Sequence, residues 1–419
     1  MRNKIGLSAI GIVVALGGLL FPGCLKDKVK KTYTMYIPVY TKKTTVMSSI
    51  NGDPGHTLAK AGQIYIKDSY IYLNELNAGI HVIDNSDPAH PVQVAFLNIP
   101  GNQNIGIRGN ILFADMYSDL LAIDISNVRQ VKIIDTLQNA IPYRNFGQNE
   151  TLITGWIKKD TTVDVETRTG PPILYDIPGT NYYTLSANAA AAASSLASTG
   201  TAGSTATMAL VGDYLYVIPE PHSLNTIKVS DPSKLALSST IPAGYDIETI
   251  FPIRNRLLLG SKEGVYIFSL DNPDKPSSIG QFTHGRACDP VVADQNYAYV
   301  TLRSGTTCGG TANELDILNA QDLTQVSMFK TYPMNSPSGL GKDGSLLFIC
   351  DGVDVKVFDA SDPSNLKQLS ALPITGAYDV IASNHVLLVA SATGLDQYDY
   401  SDPSHIVSLS HLSITQSQQ

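Results

Sequence analysis

The side chains able to do chemistry sit in a few short phrases. They are Tyr245-Asp246-Ile247-Glu248, His284-Gly285-Arg286-Ala287-Cys288-Asp289, Tyr378-Asp379, and Arg303 at the end of an apolar run. Carboxylates with an imidazole nearby could hold a divalent ion, and such an ion could assist hydrolysis or elimination. The motifs of better-defined chemistries are missing: there is no His-Glu-x-x-His, no Gly-x-Ser-x-Gly and no Walker phosphate loop. The eight histidines are scattered without metal-ligand spacing, and no nucleophile stands beside a base. No catalytic residue, cofactor or metal is therefore expected. Asp246, Glu248, His284, Arg286, Asp289, Arg303 and Asp379 read as a candidate ligand-binding set, or more plainly as strand caps whose polar groups need partners.

Composition narrows the field. The 419 residues are 43% hydrophobic and only 16% charged, with 33 glycines, 23 prolines and 21 tyrosines. Such a chain is too apolar to be disordered, and its turn-rich balance favours many short strands over charged helices. A net charge of −8 argues against nucleic-acid binding, which needs a basic face.

The elements that would position these residues come from a repeat. An apolar strand, an Asp and then Ser-Asp-Pro occurs as Ile80-His81-Val82-Ile83-Asp84-Asn85-Ser86-Asp87-Pro88. It returns as Val355-Lys356-Val357-Phe358-Asp359-Ala360-Ser361-Asp362-Pro363 and as Asp396-Gln397-Tyr398-Asp399-Tyr400-Ser401-Asp402-Pro403. Weaker copies place the marker at 128, 232, 273 and 323, so steps of about forty residues recur, with one long and one short insertion. The Asx-Pro pairs form tight turns, because Pro presets φ and the Asx side chain bonds the backbone ahead of it. Each unit holds four strand signals. In the last they are 380–382, 386–390, 395–399 and 406–412. Four strands per forty residues, seven times over, is the arithmetic of a seven-bladed, all-β propeller. The handover from each outer strand to the next innermost strand then surrounds the axial channel on one face, where the candidate set would lie.

Two regions stand apart. Residues 145–206 interrupt the ring between the second and third units, and 186–206 are almost entirely Ala, Ser, Thr and Gly, which reads as a mobile loop. Residues around 153–157 read as an extra strand. Residues 33–40, with Pro38 inside, read as an edge strand beside the ring that could help latch the first and last blades.

Arg2 and Lys4 followed by the apolar run 5–21 read as a secretory signal. Its end, Leu19-Leu20-Phe21-Pro22-Gly23-Cys24, resembles the lipobox of bacterial lipoproteins, although Phe21 and Pro22 are not its commonest residues. The resemblance implies removal of 1–23 and a lipid on Cys24, leaving 396 residues anchored to the outer membrane. The tether Leu25-Lys26-Asp27-Lys28-Val29-Lys30-Lys31 partly resembles the Lys-acidic export signal of Bacteroidetes lipoproteins, so the cell surface and the periplasmic face both stay open. The repeat itself resembles the LVIVD repeat of cell-surface propellers, carried by Ile80 to Asp84, Leu120 to Asp124 and Val355 to Asp359. Phrases such as Asp246-Ile247-Glu248-Thr249-Ile250-Phe251-Pro252 and Leu347-Phe348-Ile349-Cys350-Asp351-Gly352 are similar to those of Bacteroidetes LVIVD-repeat lipoproteins. The resemblance covers roughly 62–414 and implies fold and place but no activity. The expected layout is signal peptide 1–23, lipidated tether and edge strand 24–61, propeller 62–414 and tail 415–419.

Cys350, in an apolar run, reads as a buried thiol. If 291–293 and 297–302 form a hairpin turning near Gln295, Cys288 lies opposite about Arg303 and Cys308 can fold back onto it. An exported compartment permits that disulfide. Function then divides two ways. The leading expectation is a monomeric, non-catalytic binding module that shows loops to a protein or glycan. The alternative is a metal-assisted hydrolase or lyase using the acidic channel mouth.

Overall fold

A computed structural model describes residues 28–53, 55–142, 150–166, 201–202, 206–283, 290–305 and 310–414. The chain divides into two compact units: 1–40 with 153–180, and 41–152 with 181–419.

The larger unit is the propeller. Seven antiparallel sheets follow the chain in order, spanning 61–98, 105–137, 208–242, 247–283, 291–333, 337–373 and 377–413, here blades 1 to 7. The last blade is built as its phrases require, with strands Ala377–Ser383, Val386–Ser391, Gly394–Asp399 and Val407–Ser413. The first strand of each blade neighbours the first strand of the next, and that of blade 7 neighbours that of blade 1, so these strands line the axis. Every blade has a bulge at the same place, opposite the end of its third strand: Val82/Ile83, Ala122/Ile123, Thr226/Ile227, Ile267/Phe268, Ile317/Leu318, Val357/Phe358 and Gln397/Tyr398. A bulge raises the local twist. Its recurrence shows that the forty-residue sequence period is also a structural period.

Apolar side chains meet between blades, because each sheet is too thin to bury its own faces. Ile80, Val82 and Leu97 of blade 1 pack with Ile105, Leu112 and Leu121 of blade 2. Phe348, Val355 and Val357 of blade 6 pack with Val380, Leu387 and Val389 of blade 7. At the seam, Ile381, Leu388 and Leu395 of blade 7 pack with Ile64, Ile71 and Leu73 of blade 1. Blades 6 and 7 approach closely because Gly339 and Gly341 lack side chains. A Cβ on Gly339 would lie 2.4 Å from the Tyr378 carbonyl oxygen, and one on Gly341 2.8 Å from that of Val380.

The Asx turns form as their sequence requires. The backbone N–H of His90, Gln130, Lys234, Lys275, Gln325, Asn365 and His405 donates to the carbonyl of the Asx three residues before. The Asx side chain also accepts the N–H two residues ahead, as at Asp87, Asp231, Asp362 and Asp402. The turns also join blades. Tyr216 of blade 3 donates to the Pro273 carbonyl of blade 4 (2.9 Å), and Tyr332 of blade 5 to that of Pro363 of blade 6 (2.9 Å). Ser370 of blade 6 donates to Pro403 of blade 7 (2.8 Å), and Ser410 of blade 7 to Pro88 of blade 1 (2.7 Å). The seam thus uses the same joint as the interior of the ring. It adds a reciprocal amide pair, Asn85 Nδ2 to Gln397 Oε1 at 2.9 Å and Gln397 Nε2 to Asn85 Oδ1 at 2.7 Å. The Tyr378 hydroxyl also donates to the Ala61 carbonyl at 2.6 Å.

The strand expected at 33–40 is longer, Lys28–Lys42, and it joins no blade. It pairs with Thr151–Glu166, the extra strand expected around 153–157, as a separate two-stranded sheet. Thr32 meets Thr162, Thr34 donates to Asp160 and Thr154 donates to the Val39 carbonyl, so the strands run antiparallel. Blades 1 and 7 meet directly through their own side chains. Within the low-complexity segment, Thr201–Ala202 pairs with Tyr65 and Ile66 as a fifth strand of blade 1. Lys43–Ser49 forms a short helix that carries no side-chain cap and is held by the buried Val46.

Two outcomes follow. Gln397→Ala should lower stability by about 1–3 kcal/mol, the cost of leaving the seam amide of Asn85 unsatisfied, measured by chemical denaturation; no change would mean that the seam amides do not contribute to closure. The second concerns acid. The Ser86, Ser126 and Ser361 N–H groups hold the carboxyls of Asp84, Asp124 and Asp359 below the ordinary range. The hydroxyls of Ser233 and Thr324, then their N–H groups, do the same for Asp231 and Asp322. Folding thus favours the deprotonated forms, so their contribution is complete above the unfolded carboxylate pKa of about 4 and is lost as pH falls below it. The melting temperature should be level from about pH 7 to 5 and fall below about pH 4; a level profile down to about pH 3 would overturn this.

Candidate functional site

In each blade the first strand begins, the second ends and the fourth ends on one face, while the Asx turns lie on the other. Asp246 precedes the first strand of blade 4, Ile247–Ile253, in a left-handed conformation with φ of 48°. Its carboxylate lies 3.6 Å from Lys262 Nζ, in the turn between the second and third strands, and Glu248 lies 4.0 Å from the same ammonium. Tyr245 is exposed, and its ring meets that of His222 of blade 3 edge-on at 5.3 Å. Asp246 and Glu248 thus stand at the start of the first strand of blade 4, where one lysine serves both carboxylates.

The other candidates scatter. Asp379 is fully buried; one of its oxygens accepts the Val380 N–H at 3.1 Å, and its backbone packs against Gly339. Arg303 is exposed after the second strand of blade 5, on the expected face. His284, Arg286 and Asp289 lie outside the described residues, as do Cys24, Cys288 and Cys308. The blade 5 hairpin has the expected register, with Val291 opposite Val300 and Ala293 opposite Ala298. Among the described residues, Asp246, Glu248 and Asp379 do not converge within metal-ligating distance of one another.

A different group does converge. His56, Glu75 and His81 place one ligand atom each within 4.8 Å of the others. Glu75 ends the second strand of blade 1, Tyr70–Glu75, and His81 is the third residue of the next, Gly79–Asp84. The turn between them brings both side chains to one face. His56 arrives from the segment before the blade. Asp53 and Phe96 exchange backbone hydrogen bonds there, 3.1 Å and 2.6 Å, along the outer edge of the sheet. His81 Nε2 lies 2.7 Å and His56 Nε2 3.2 Å from Glu75 Oε2. The His56 ring stacks on Phe96 with centroids 3.9 Å apart. Burial alone would push the Glu75 carboxyl up. The His81 hydrogen bond, the electrostatic influence of the His81 and His56 rings and the Ala59 N–H outweigh it, so the carboxyl is held below its ordinary range. Sequence reasoning missed this group because nothing in the spacing of 56, 75 and 81 marks it; only the hairpin and the edge pairing bring the three together.

Blade 6 gives the comparison. Its corresponding positions are Asp351, ending a second strand, and Lys356, third in the next strand, and they form an ion pair. Asp351 also accepts the N–H groups of Asn335 and Ser336, which precede the blade. In blade 7 the third position is Asp396, which accepts from His411 on the fourth strand at 2.8 Å. The frame repeats while the side chains on it change, and blade 1 is where two imidazoles and a carboxylate meet.

Cys350 is the buried thiol that the sequence indicates. It lies in the interface of blades 6 and 7, and burial, then the charges of Asp379 and Asp351, push its pKa well up. Native protein should leave Cys350 unmodified by iodoacetamide while unfolded protein is labelled there, read by peptide mass spectrometry; native labelling would contradict the packing.

Comparison with known proteins fits this architecture. The LVIVD repeat matches at residues 59–97 and 202–241, so the chain carries LVIVD repeats. No curated protein matches it. Among solved structures it is similar to a protein from Lactobacillus plantarum, with TM-score 0.56 and 11% identity over 85% of this chain and 97% of that one. It is likewise similar to the periplasmic gluconolactonase of Pseudomonas aeruginosa, with TM-score 0.54 and 9% identity over 85% and 97%. The computationally designed Ika8 protein gives TM-score 0.51 and 9% identity over 87% and 92%. At such identities these likenesses speak for the fold alone. The chain is an all-β, seven-bladed propeller of four-stranded antiparallel blades bearing LVIVD repeats.

Proposed function

We propose that this protein is a non-catalytic binding scaffold of the bacterial cell envelope, held to the outer membrane by a lipid on Cys24 and engaging a protein partner. One observation carries the reading. The sheet formed by Lys28–Lys42 and Thr151–Glu166 exposes Met35, Tyr36, Ile37, Tyr40, Trp156 and Ile157, with Tyr36 at 53% and Ile157 at 57%. Successive strand residues point to opposite faces, so these groups leave apolar surface exposed on both faces of the ribbon. Exposed large apolar groups mark interaction sites, and aromatic residues and Met are types enriched in interfaces. A two-stranded ribbon is marginal alone in water, so a partner that adds strands or covers a face stabilises it. The only Trp of the chain is on it, a residue type enriched at interface hot spots.

The channel mouth supports catalysis less well. Asp246 and Glu248 face a lysine, which competes with any divalent ion for their charge. No helix among the described residues is long and apolar enough to cross a membrane. The lipid supplies the anchor in this reading, with surface and periplasmic display both compatible.

Purifying the tagged protein from its native membrane in mild detergent should bring down one protein in stoichiometric amount. The double substitution Tyr36→Ala with Trp156→Ala should weaken that association at least tenfold, since losing hot-spot aromatics costs about 2 kcal/mol or more each. A solitary protein from the native membrane, or a partner held equally by the variant, would overturn the proposal.

A further inference from the structure

The hydrogen bonds around His81 fix which of its nitrogens carries a proton. Gln93 Nε2 donates to the His56 carbonyl oxygen at 2.6 Å, an atom that can only accept. The other end of that amide, Oε1, must therefore be what faces His81 Nδ1 at 2.8 Å, so Nδ1 is the donor. A neutral His81 then presents the lone pair of Nε2 to Glu75 Oε2 across 2.7 Å, acceptor against acceptor. A positive centre has to lie between them. His56 Nε2, 3.2 Å from the same oxygen, adds a third ligand to the same point.

We propose that blade 1 carries a divalent transition-metal site of the zinc type, with His56 Nε2, His81 Nε2 and the Glu75 carboxylate as protein ligands and water in the fourth position. The donor set is two imidazoles and one carboxylate, which suits zinc and leaves an open position when three protein ligands are present. Bonds of about 2.0–2.1 Å in tetrahedral geometry put ligand atoms about 3.3 Å apart. The His56 to Glu75 separation of 3.2 Å already meets this. The His81 to Glu75 separation of 2.7 Å needs about half an ångström, within reach of a small turn of the carboxylate. The supporting groups are of the kind a metal site needs, since a second-shell acceptor on the far nitrogen orients a ligating imidazole. Gln93 does so for His81, and the same amide ties down the backbone of His56. The His81 side chain is only 1% exposed, whereas that of His56 is 41% exposed, which gives the ion a route in and the water a place.

Bound metal would pin the segment before the first blade to the hairpin of that blade. Blade 6 does the equivalent with a carboxylate–ammonium pair and two backbone N–H groups. The site is independent of the exposed ribbon and stands or falls without it.

The test is a titration of the full chain, stripped with chelator, with Zn²⁺ against a competing chromogenic chelator, together with the visible spectrum of the Co²⁺ form. One Zn²⁺ per chain with a Kd of about 1 μM or tighter is expected, and tetrahedral Co²⁺ bands with it. His56→Ala removes a partly exposed side chain ahead of the blade, so the fold should persist, checked by circular dichroism. It and Glu75→Gln should each weaken Zn²⁺ at least tenfold and abolish the Co²⁺ bands, while Lys356→Ala in blade 6 leaves both unchanged. Absence of one-to-one binding at about 0.1 mM Zn²⁺ would overturn the proposal and assign the positive centre to a proton on His81. Equal binding by His56→Ala would overturn it too.

Discussion

The whole molecule depends on burying apolar faces between blades, because no blade can bury them alone. Each four-stranded sheet presents two apolar faces, and each fully buried Leu, Ile or Val contributes about 1.5–3 kcal/mol only when a neighbouring sheet covers it. In an open array the first and last sheets would each keep one face in water. The seam of blades 7 and 1 removes that cost by packing Ile381, Leu388 and Leu395 on Ile64, Ile71 and Leu73. Many propellers close by lending a strand across the seam. Here the four strands of 61–98 and the four of 377–413 are each consecutive, and the strand added to blade 1, Thr201–Ala202, pairs with Tyr65 and Ile66 rather than with blade 7, so side chains close the ring. Polar contacts cross the other blade interfaces too, as where Arg108 of blade 2 donates to the Gly212 and Val229 carbonyls of blade 3. The Ser410 to Pro88 bond repeats the ordinary joint, while the Asn85–Gln397 amides and the Tyr378 hydroxyl are additional.

The Asx turn serves this constraint in three ways at once. Its Asx side chain satisfies the backbone within the turn, its Pro fixes φ, and its Pro carbonyl accepts a side chain from the preceding blade. A single phrase thus ends a strand, starts the next and sets the spacing of neighbours. The repeat period is preserved for that reason, whereas the opposite face is free to vary. The Asx turns occupy one face and the strand handovers the other, so side chains at the handovers can change without disturbing the joints.

This division also explains what the sequence made legible. Ser361-Asp362-Pro363 and Ser401-Asp402-Pro403 announce themselves because a turn is a local object whose chemistry lies within four residues. Cys350 was readable from the apolar run around it, and the register of Val291 with Val300 from a hairpin of twelve residues. Asp246 and Glu248 stand at the start of a first strand, a position that follows from blade phase alone. Their lysine was not foreseen, since it belongs to the next turn. The pairing of Lys28–Lys42 with Thr151–Glu166 spans more than a hundred residues, and neither strand says which partner it takes. The Lys43–Ser49 helix was invisible because Thr44, Thr45 and Val46 favour strands; burial of Val46 decides against that propensity.

The His56–Glu75–His81 group belongs to this second kind, and its position on the frame is informative. Its two hairpin members occupy the positions that hold Asp351 and Lys356 in blade 6, so the backbone geometry that brings an acid to the third residue of the next strand is a property of the repeat. In blade 6 that geometry gives a neutralised ion pair, which needs nothing further. Blade 1 replaces the ammonium, a permanent cation, with an imidazole whose far nitrogen is already committed to Gln93, and it brings a second imidazole from outside the blade. The positive charge that Lys356 supplies from its own side chain is in blade 1 left to whatever occupies the space between nitrogen and oxygen. A frame that keeps its carboxylate while giving up its built-in cation is a frame prepared for an external one.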